Sequence, residues 1–189
     1  MQQFICVEDP LREEAADAVR ELKEAGITKV VMMTGDSERT AAAIAKRVGV
    51  DEYYSEVLPE DKASFVEKEK ELGHKVIMIG DGINDSLALS SASVGIAISD
   101  GAAIAREIAD VTISADNLHE IVTLKRLSTA LMKRIHNNYR TIIGINGGLI
   151  ALGVTGIIMP TTSALLHNMS TLTISLRSMR NLLPKEEEA

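Results

Sequence analysis

The chain has 189 residues and a formal net charge of −7; hydrophobic residues make up 46% of it, but aromatic residues only 3%. This acidic balance argues against a general nucleic-acid-binding protein, whose binding face carries an excess of Lys and Arg. The single cysteine, Cys6, excludes an internal disulfide and is expected to be a small buried apolar residue. No basic start followed by a long apolar segment opens the chain, so no secretory signal is predicted.

Residues 1–115 alternate between short β-rich runs and helical patterns. Strands are predicted, in chain order, for FICV, TKVVMM, KVIMI, VGIAI and DVTI, and EYYSEVL is a further short run before Pro59. The segments between several of them carry apolar residues at helical spacing, with Gly26 as a helix stop and Pro59 in the first turn of a helix. Strands separated by helices of this length predict a parallel sheet covered by helices on both faces.

Polar residues follow two of these strands, at the sheet edge where parallel sheets bind ligands. The sequence TGD after TKVVMM supplies Thr34, Gly35 and Asp36, and the sequence GDGIND after KVIMI supplies two carboxylates, Asp81 and Asp85. Carboxylates this close together repel each other unless a cation or a proton intervenes. A divalent cation is therefore expected at this edge.

These residue types suit a phosphate–magnesium site. Mg²⁺ prefers carboxylate oxygens and retained waters, so Asp81 is the predicted ligand and Asp85 orients a water or a neighbouring ligand. Gly80 and Gly82 allow the backbone to turn sharply beside the ion. The hydroxyl of Thr34 is expected to reach phosphate oxygens. The sequence PEDK places Lys62 near the start of a helix, where its charge can balance that of a transferring phosphoryl group.

The C-terminal third has a different pattern. One long helix is predicted for 116–140, followed by an uncharged run at 141–159 that has about the length needed to cross a bilayer. Pro160 ends this run, and a second uncharged stretch precedes Arg177. Basic residues flank both stretches, which predicts that both ends face the cytoplasm. The alternative is a helical hairpin buried in a soluble protein. The predicted divisions are an α/β domain at 1–115, a stalk helix at 116–140, a transmembrane helical hairpin at 141–183 and an acidic tail at 184–189.

The segments MTGDSERT and GDGINDSLALSSASVGIAI resemble the motifs of P-type cation-transporting ATPases, whose phosphorylation domain has a Rossmann-like, haloacid-dehalogenase-like fold. The sequence DPLR at 9–12 resembles another segment of that domain, near the nucleotide. The long helix and hairpin resemble the last membrane helices of the heavy-metal-translocating branch. The resemblance implies an ATP-driven pump with Mg²⁺ and ATP as cofactors. It also implies a multi-pass membrane location with the α/β domain in the cytoplasm, and a transition-metal ion and membrane lipid as partners.

The resemblance assigns roles to the motif residues. Asp81 would ligate Mg²⁺ and Asp85 would support that ion, while Thr34 and Lys62 would bind an aspartyl phosphate. The remaining motif residues would lie beside them or toward the nucleotide: Gly35, Asp36, Asp9, Arg12, Gly82 and Asn84. The family's phosphorylated aspartate lies in an Asp-Lys-Thr-Gly-Thr motif that this sequence does not contain. The chain is therefore expected to be the C-terminal part of a pump, inactive alone, with the N-terminal part as its partner.

The transported ion is expected to meet polar residues of the hairpin, because polar groups within a span are costly and often functional. The candidates are Asn146, His167, Met169 and Ser170; imidazole and thioether groups suit transition metals. Copper pumps of this branch usually carry Tyr-Asn in the first helix and a Met with paired Ser in the second. Here Ile145 precedes Asn146, and His167 stands where the Met is expected. Zinc-type members usually carry a Lys and an Asp in these helices, and both are absent, so the ion stays open.

Two other functions stay open at this point. A membrane-anchored phosphatase of the same superfamily needs an aspartate nucleophile after its first strand, and Asp9 is the candidate for that position. However, EDPLR lacks the second aspartate that such phosphatases place two residues further on. The second alternative is a non-catalytic partner that associates with an intact pump.

Overall fold

The computed structural model describes residues 13–80, 84–98, 107–113 and 117–182. The chain divides into two compact units, Met1–Thr123 and Leu124–Ala189. The first helices and strands in chain order are α1 (Ala15–Glu24), β1 (Val31–Met33), α2 (Glu38–Val48), β2 (Glu52–Tyr54), α3 (Pro59–Glu71), β3 (Ile77–Gly80), α4 (Ser86–Ser91), β4 (Val94–Ile98) and β5 (Val111–Ile113). Two long helices follow, α5 (His119–Val154) and α6 (Pro160–Ser178).

The strand pairings in the described residues are all parallel, which confirms the prediction of a parallel α/β fold. β1 pairs with β2, β3 with β4, and β4 with β5. The described strands form two sheets, β1–β2 and β3–β4–β5. No described strand pairs with both β1 and β3, so each of these strands has one edge without a described partner. The predicted strand FICV lies outside the described residues.

Small and aliphatic side chains fill the core of the first unit, as the composition predicts. Helix α4 contributes Ala88 and Leu89, strand β4 contributes Ile96, and helix α3 contributes Val66; each is at most 1% exposed. Helix α4 packs against α3 and against strands β3 and β4. Burial of this apolar surface is the main stabilising contribution. Because α4 begins directly after Asp85, the packing of α4 also holds that residue in place.

A cluster of polar contacts joins α1 to the loop before β2. The Nζ of Lys23 donates to the Asp51 Oδ1 at 2.8 Å and to the Gly49 carbonyl at 2.9 Å. The other oxygen of Asp51 accepts a hydrogen bond from the Val30 N–H at 2.8 Å. The Lys23 hydrogen bond is the largest cause that lowers the pKa of Asp51, and the Val30 N–H contributes next. These contacts fix the register at which the chain enters β1.

The helical part of the C-terminal third differs from the prediction. Most of the predicted stalk helix and the first uncharged run form one continuous helix, α5, which begins at His119 and ends at Val154 instead of at the residue before Pro160. The chain then turns, and Gly156 adopts a φ of +72°, which favours glycine. The uncharged part of α5 therefore covers only 141–154, a length of about 21 Å at 1.5 Å per residue. Among the described helices, none has both the length and the apolar content that crossing a membrane requires, so the predicted transmembrane hairpin is not confirmed.

Candidate active site

One ion pair joins the first turn of α3 to the segment that follows β3. The Nζ of Lys62 lies 2.7 Å from the Asp85 Oδ1, and the two side chains are only 14% and 11% exposed. Two charges with so little access to water depend on each other, since removal of either leaves the other uncompensated. Residues that are 23 positions apart in the sequence are thus in direct contact.

Gly80, the last residue of β3, allows this close approach. A Cβ atom at Gly80 would lie against the Asp85 Oδ2 and 2.7 Å from the Asp85 Cβ. Real side chains do not tolerate such a distance, so space rather than backbone conformation requires glycine here. The second glycine predicted beside the carboxylates, Gly82, lies outside the described residues.

The TGD loop closes on itself at the end of β1. The Thr34 Oγ1 donates to the Asp36 Oδ2 at 2.9 Å and accepts a hydrogen bond from the Asp36 N–H at 3.1 Å. The N–H of Thr34 donates to the Tyr54 carbonyl at 3.0 Å, which extends the pairing of β1 with β2 by one residue. Thr34 is half-buried, whereas Gly35 and Asp36 are exposed. The hydroxyl group is therefore positioned by its own loop and lies close to solvent.

Two backbone hydrogen bonds tie this loop to residues 56–57, just before α3. The N–H groups of Glu56 and Val57 donate to the carbonyls of Asp36 and Thr34, at 2.9 and 3.0 Å. Glu56 has a φ of +54°, a conformation that is uncommon for a residue with a side chain. The sequence interpretation missed both residues, because a backbone N–H is supplied by every residue type except proline. They determine where the loop lies relative to α3.

The three predicted motifs therefore form one series of contacts. The TGD loop binds residues 56–57, α3 begins two residues later, and Lys62 on α3 binds Asp85. In the described residues no hydrogen bond or ion pair joins Thr34 directly to Lys62 or Asp85. Asn84 is exposed. The other predicted site residues lie outside the described ranges: Asp9, Arg12 and Asp81.

The described residues supply only part of a Mg²⁺ site. Within 13–80, 84–98, 107–113 and 117–182, no three His, Cys, Asp or Glu side chains converge as metal ligands. Asp85 has one oxygen on Lys62 and is 8% exposed. A carboxylate that is buried and already balanced by an ammonium group fits a supporting position beside the ion. Such a residue fits poorly as the sole protein ligand, because Mg²⁺ needs direct oxygen ligands.

In the second unit, one hydrogen bond links α5 to α6 through two of the predicted ion-contacting residues. The Nδ1 of His167 lies 2.9 Å from the Asn146 Oδ1. An amide oxygen can only accept, so Nδ1 is the donor of this bond, and in the neutral imidazole that tautomer leaves the lone pair on Nε2. Ser170 donates to the His167 carbonyl at 2.7 Å, a bond within its own helix. Met169 is 54% exposed, and no hydrogen bond joins its side chain to this pair.

Comparison with known proteins shows what the chain is similar to. The haloacid dehalogenase-like hydrolase family matches residues 2–93. The chain is 37% identical over 178 residues to the zinc-exporting P-type ATPase of Mycobacterium marinum and to the manganese-exporting P-type ATPase of Mycobacterium bovis; both alignments cover 94% of this chain. They cover 24% and 25% of those relatives, so the chain spans about a quarter of the length of the curated relatives it matches.

A solved structure agrees with this assignment. A zinc-transporting PIB-type ATPase in an E2·Pi state matches with a TM-score of 0.84 and 34% identity, over 94% of this chain and 29% of that one. The resemblance of the sequence motifs to the heavy-metal-translocating branch is thus confirmed. The chain has a haloacid dehalogenase-like hydrolase domain and is homologous, over 94% of its length, to the heavy-metal-exporting P-type ATPases.

Proposed function

We propose that this chain is the C-terminal part of an ATP-driven heavy-metal exporter, in which the first unit forms the cytoplasmic phosphorylation site and the second lies at the membrane. The observation that carries the proposal is the buried Lys62–Asp85 pair, linked through residues 56–57 to the TGD loop. Both motifs follow parallel strands, at the edge where such sheets bind ligands. Large exposed aliphatic side chains on α5 and α6, including Ile150 at 67% and Leu165 at 63%, support a membrane location.

Each predicted site residue has a separate role in phosphoryl transfer. Lys62 balances the negative charge that spreads over the transferring phosphoryl oxygens. The Thr34 hydroxyl turns from Asp36 to donate to a phosphate oxygen, and Gly35 leaves room for that oxygen next to the backbone. Asp81 and Asp85 would hold Mg²⁺, which supplies further charge neutralisation when it is bound. Asp9 and Arg12 would face the nucleotide together with Gly82 and Asn84.

The nucleophile must come from another part of the pump, because this sequence contains no Asp-Lys-Thr-Gly-Thr motif. We propose that it lies at the end of a strand that pairs between β1 and β3. Each of these strands has one edge without a described partner, and both run parallel to their neighbours. A parallel strand at this position would end beside Thr34 on one side and beside Asp85 on the other.

A chimeric pump tests the proposal. When this chain replaces the homologous segment of the Mycobacterium marinum zinc exporter, membranes incubated with labelled ATP should form an acid-stable, hydroxylamine-sensitive phosphoenzyme. Thr34→Ala in the chimera should slow its formation about tenfold to hundredfold, since a hydrogen bond to a charged phosphate contributes roughly 1.5–3 kcal/mol. Thr129→Ala is the matched control, because that hydroxyl donates only to the Lys125 carbonyl of its own helix.

Two results would contradict the proposal. One is a chimera that reaches the membrane in normal amounts and forms no phosphoenzyme; the other is an unchanged rate in Thr34→Ala. The isolated chain should form no phosphoenzyme, and an acid-stable label on it would show that it carries a nucleophile of its own. Hydrolysis of p-nitrophenyl phosphate by the isolated chain that is lost in Asp9→Asn would instead favour the phosphatase alternative.

We further propose that His167 contacts the exported ion, a borderline divalent transition metal, through Nε2. The Asn146 carbonyl at 2.9 Å orients the ring and leaves Nε2 as the ligand atom, an arrangement that metal-binding histidines commonly use. Met169 and Ser170 would act nearby as weaker contacts. The relatives export zinc in one case and manganese in another. Imidazole nitrogen suits zinc, whereas manganese prefers oxygen ligands.

Metal dependence of the chimera's phosphoenzyme tests this assignment. His167→Ala should reduce stimulation by the preferred metal at least tenfold, and Asn146→Ala should reduce it less, because the ring is then present but not oriented. His136→Ala removes an imidazole elsewhere on α5 and should leave the metal dependence unchanged. Equal metal activation of His167→Ala and the parent chimera would exclude His167 as a ligand.

A further inference from the structure

A basic groove lies between α5 and the C-terminal end of α6. Its cavity volume is about 670 Å³. Five cationic side chains line it: Lys133, Arg134, Arg140, Arg177 and Arg180. We call these five residues and the cavity between them the basic groove.

Arg134 builds one wall of the groove. Its guanidinium donates to the carbonyls of Ser178 at 3.0 Å and Asn181 at 2.9 Å, and also to that of Arg180. Carbonyls at the C-terminal end of a helix lack intrahelical partners and carry partial negative charge, so an arginine stabilises them. Asn138 adds a hydrogen bond of 2.7 Å to the Ser178 hydroxyl. These contacts hold the end of α6 against α5 and give the groove a fixed shape.

The other four cations are not balanced by described residues. Lys133, Arg140, Arg177 and Arg180 form no ion pair with any described residue, unlike Lys23, Lys29 and Lys62 of the first unit. The segment 124–182 contains no Asp or Glu. Like charges around one cavity raise its electrostatic energy, which an anion in the cavity would lower. The groove is thus complementary to a negatively charged ligand.

Apolar surface borders the groove on both helices. Beyond Arg140, helix α5 exposes Ile142 at 41% and Ile143 at 53%; before Arg177, helix α6 exposes Leu172 at 55% and Leu176 at 59%. An inorganic anion would use only the charges of the groove. A ligand that joins an anionic group to hydrocarbon would use both the charges and the exposed aliphatic surface.

We propose that the basic groove binds the phosphate-bearing headgroup of an anionic phospholipid, with its acyl chains along the adjoining aliphatic side chains. Basic pockets between helices are suited to such headgroups. The acidic tail 184–189 carries the opposite charge as well, but its run of glutamates has no apolar part to cover the aliphatic border. This site rests on the proposal that the second unit lies at the membrane, but it does not depend on metal export or on phosphoryl transfer.

Vesicle binding by the full chain tests the site. Binding to vesicles that contain phosphatidylglycerol should be tighter than binding to pure phosphatidylcholine. Arg177→Gln should weaken the phosphatidylglycerol-dependent part about fivefold, the effect of one cation at an anionic surface. Arg177→Lys keeps the charge and should bind like the parent. Lys125→Gln, on α5 outside the groove, should change binding less than twofold. Unchanged thermal melting of each variant shows that the fold is retained.

Four results would overturn the proposal. The first is binding that does not depend on phosphatidylglycerol. The second is an equal loss in Lys125→Gln and Arg177→Gln, which would indicate diffuse charge attraction. The third is complete release of the protein from the vesicles by inorganic phosphate at a concentration equal to that of the lipid phosphate groups. That result would identify free phosphate as the ligand. The fourth is a severalfold gain in binding when residues 184–189 are deleted, which would identify the tail as the occupant.

Discussion

Replacing Lys62 with methionine should lower the free energy of unfolding by about 3 kcal/mol, because it leaves Asp85 charged and unpaired in a site that is 11% exposed. Methionine keeps most of the aliphatic length of lysine, so the change removes the charge rather than the packing. Urea denaturation followed by circular dichroism measures the effect. Lys68→Met, on the exposed part of α3, is the matched control and should change stability by less than about 0.5 kcal/mol.

A double-mutant cycle separates the pair from its surroundings. Asp85→Asn alone leaves Lys62 without its partner, whereas Lys62→Met with Asp85→Asn leaves no buried charge. The double variant should therefore be less destabilised than the sum of the two single variants by roughly 1–3 kcal/mol, as expected for residues in direct contact. Additive effects would show that the 2.7 Å contact contributes nothing to stability.

Gly80→Ala should lower the free energy of unfolding by about 3 kcal/mol. This is the upper end of the range for inserting an extra group into a well-packed site. The new Cβ would lie 2.7 Å from the Asp85 Cβ, and the backbone of Asp85 cannot move easily away. Its carbonyl accepts a hydrogen bond from the Leu89 N–H at 2.8 Å, and Leu89 is 1% exposed in the core. Thermal and urea denaturation measure the loss.

The control for this substitution is a glycine with free space around it. Gly144 lies on α5, and a Cβ atom there would have no neighbour within 4 Å, so Gly144→Ala should be neutral or stabilise by up to about 1 kcal/mol.

In the Lys62→Met background, Gly80→Ala should cost less than in the parent, because part of its effect is the disruption of the Lys62–Asp85 pair. A Gly80→Ala variant as stable as the parent would refute the crowding argument.

Both substitutions act on an arrangement that links stability to the proposed chemistry. Lys62 is held by Asp85 in the structure described here, and a phosphoryl group arriving at the sheet edge would compete with Asp85 for that ammonium. Because Asp85 is proposed to support Mg²⁺, the ion would compensate the carboxylate that Lys62 partly releases. In the structure the two charges of the pair balance each other.

Local sequence pattern determined the elements of the first unit. The spacing of apolar residues distinguishes strands from helices, and glycine and proline mark helix ends; both signals depend only on residues close together in the sequence. The alternation of strands and helices then indicates parallel strands. The positions of Thr34 and Asp85 after β1 and β3 follow from the same local signals. The motifs also sufficed to identify the heavy-metal-translocating branch, since the spacing of glycines and carboxylates in a ligand-binding loop is set by the backbone of that loop.

Tertiary structure decided how these elements meet. The contact of Lys62 with Asp85 and the backbone hydrogen bonds from residues 56–57 to the TGD loop join segments that are distant in sequence, so no local pattern specifies them. The division into two sheets depends on which strands hydrogen-bond, and the single helix α5 on where the chain turns. Likewise, the basic groove exists because Arg134 binds the end of α6, a contact that spans more than 40 residues. Net charge and the spacing of apolar residues are properties of the sequence itself. Complementary shape and charge arise only between surfaces that folding brings into contact.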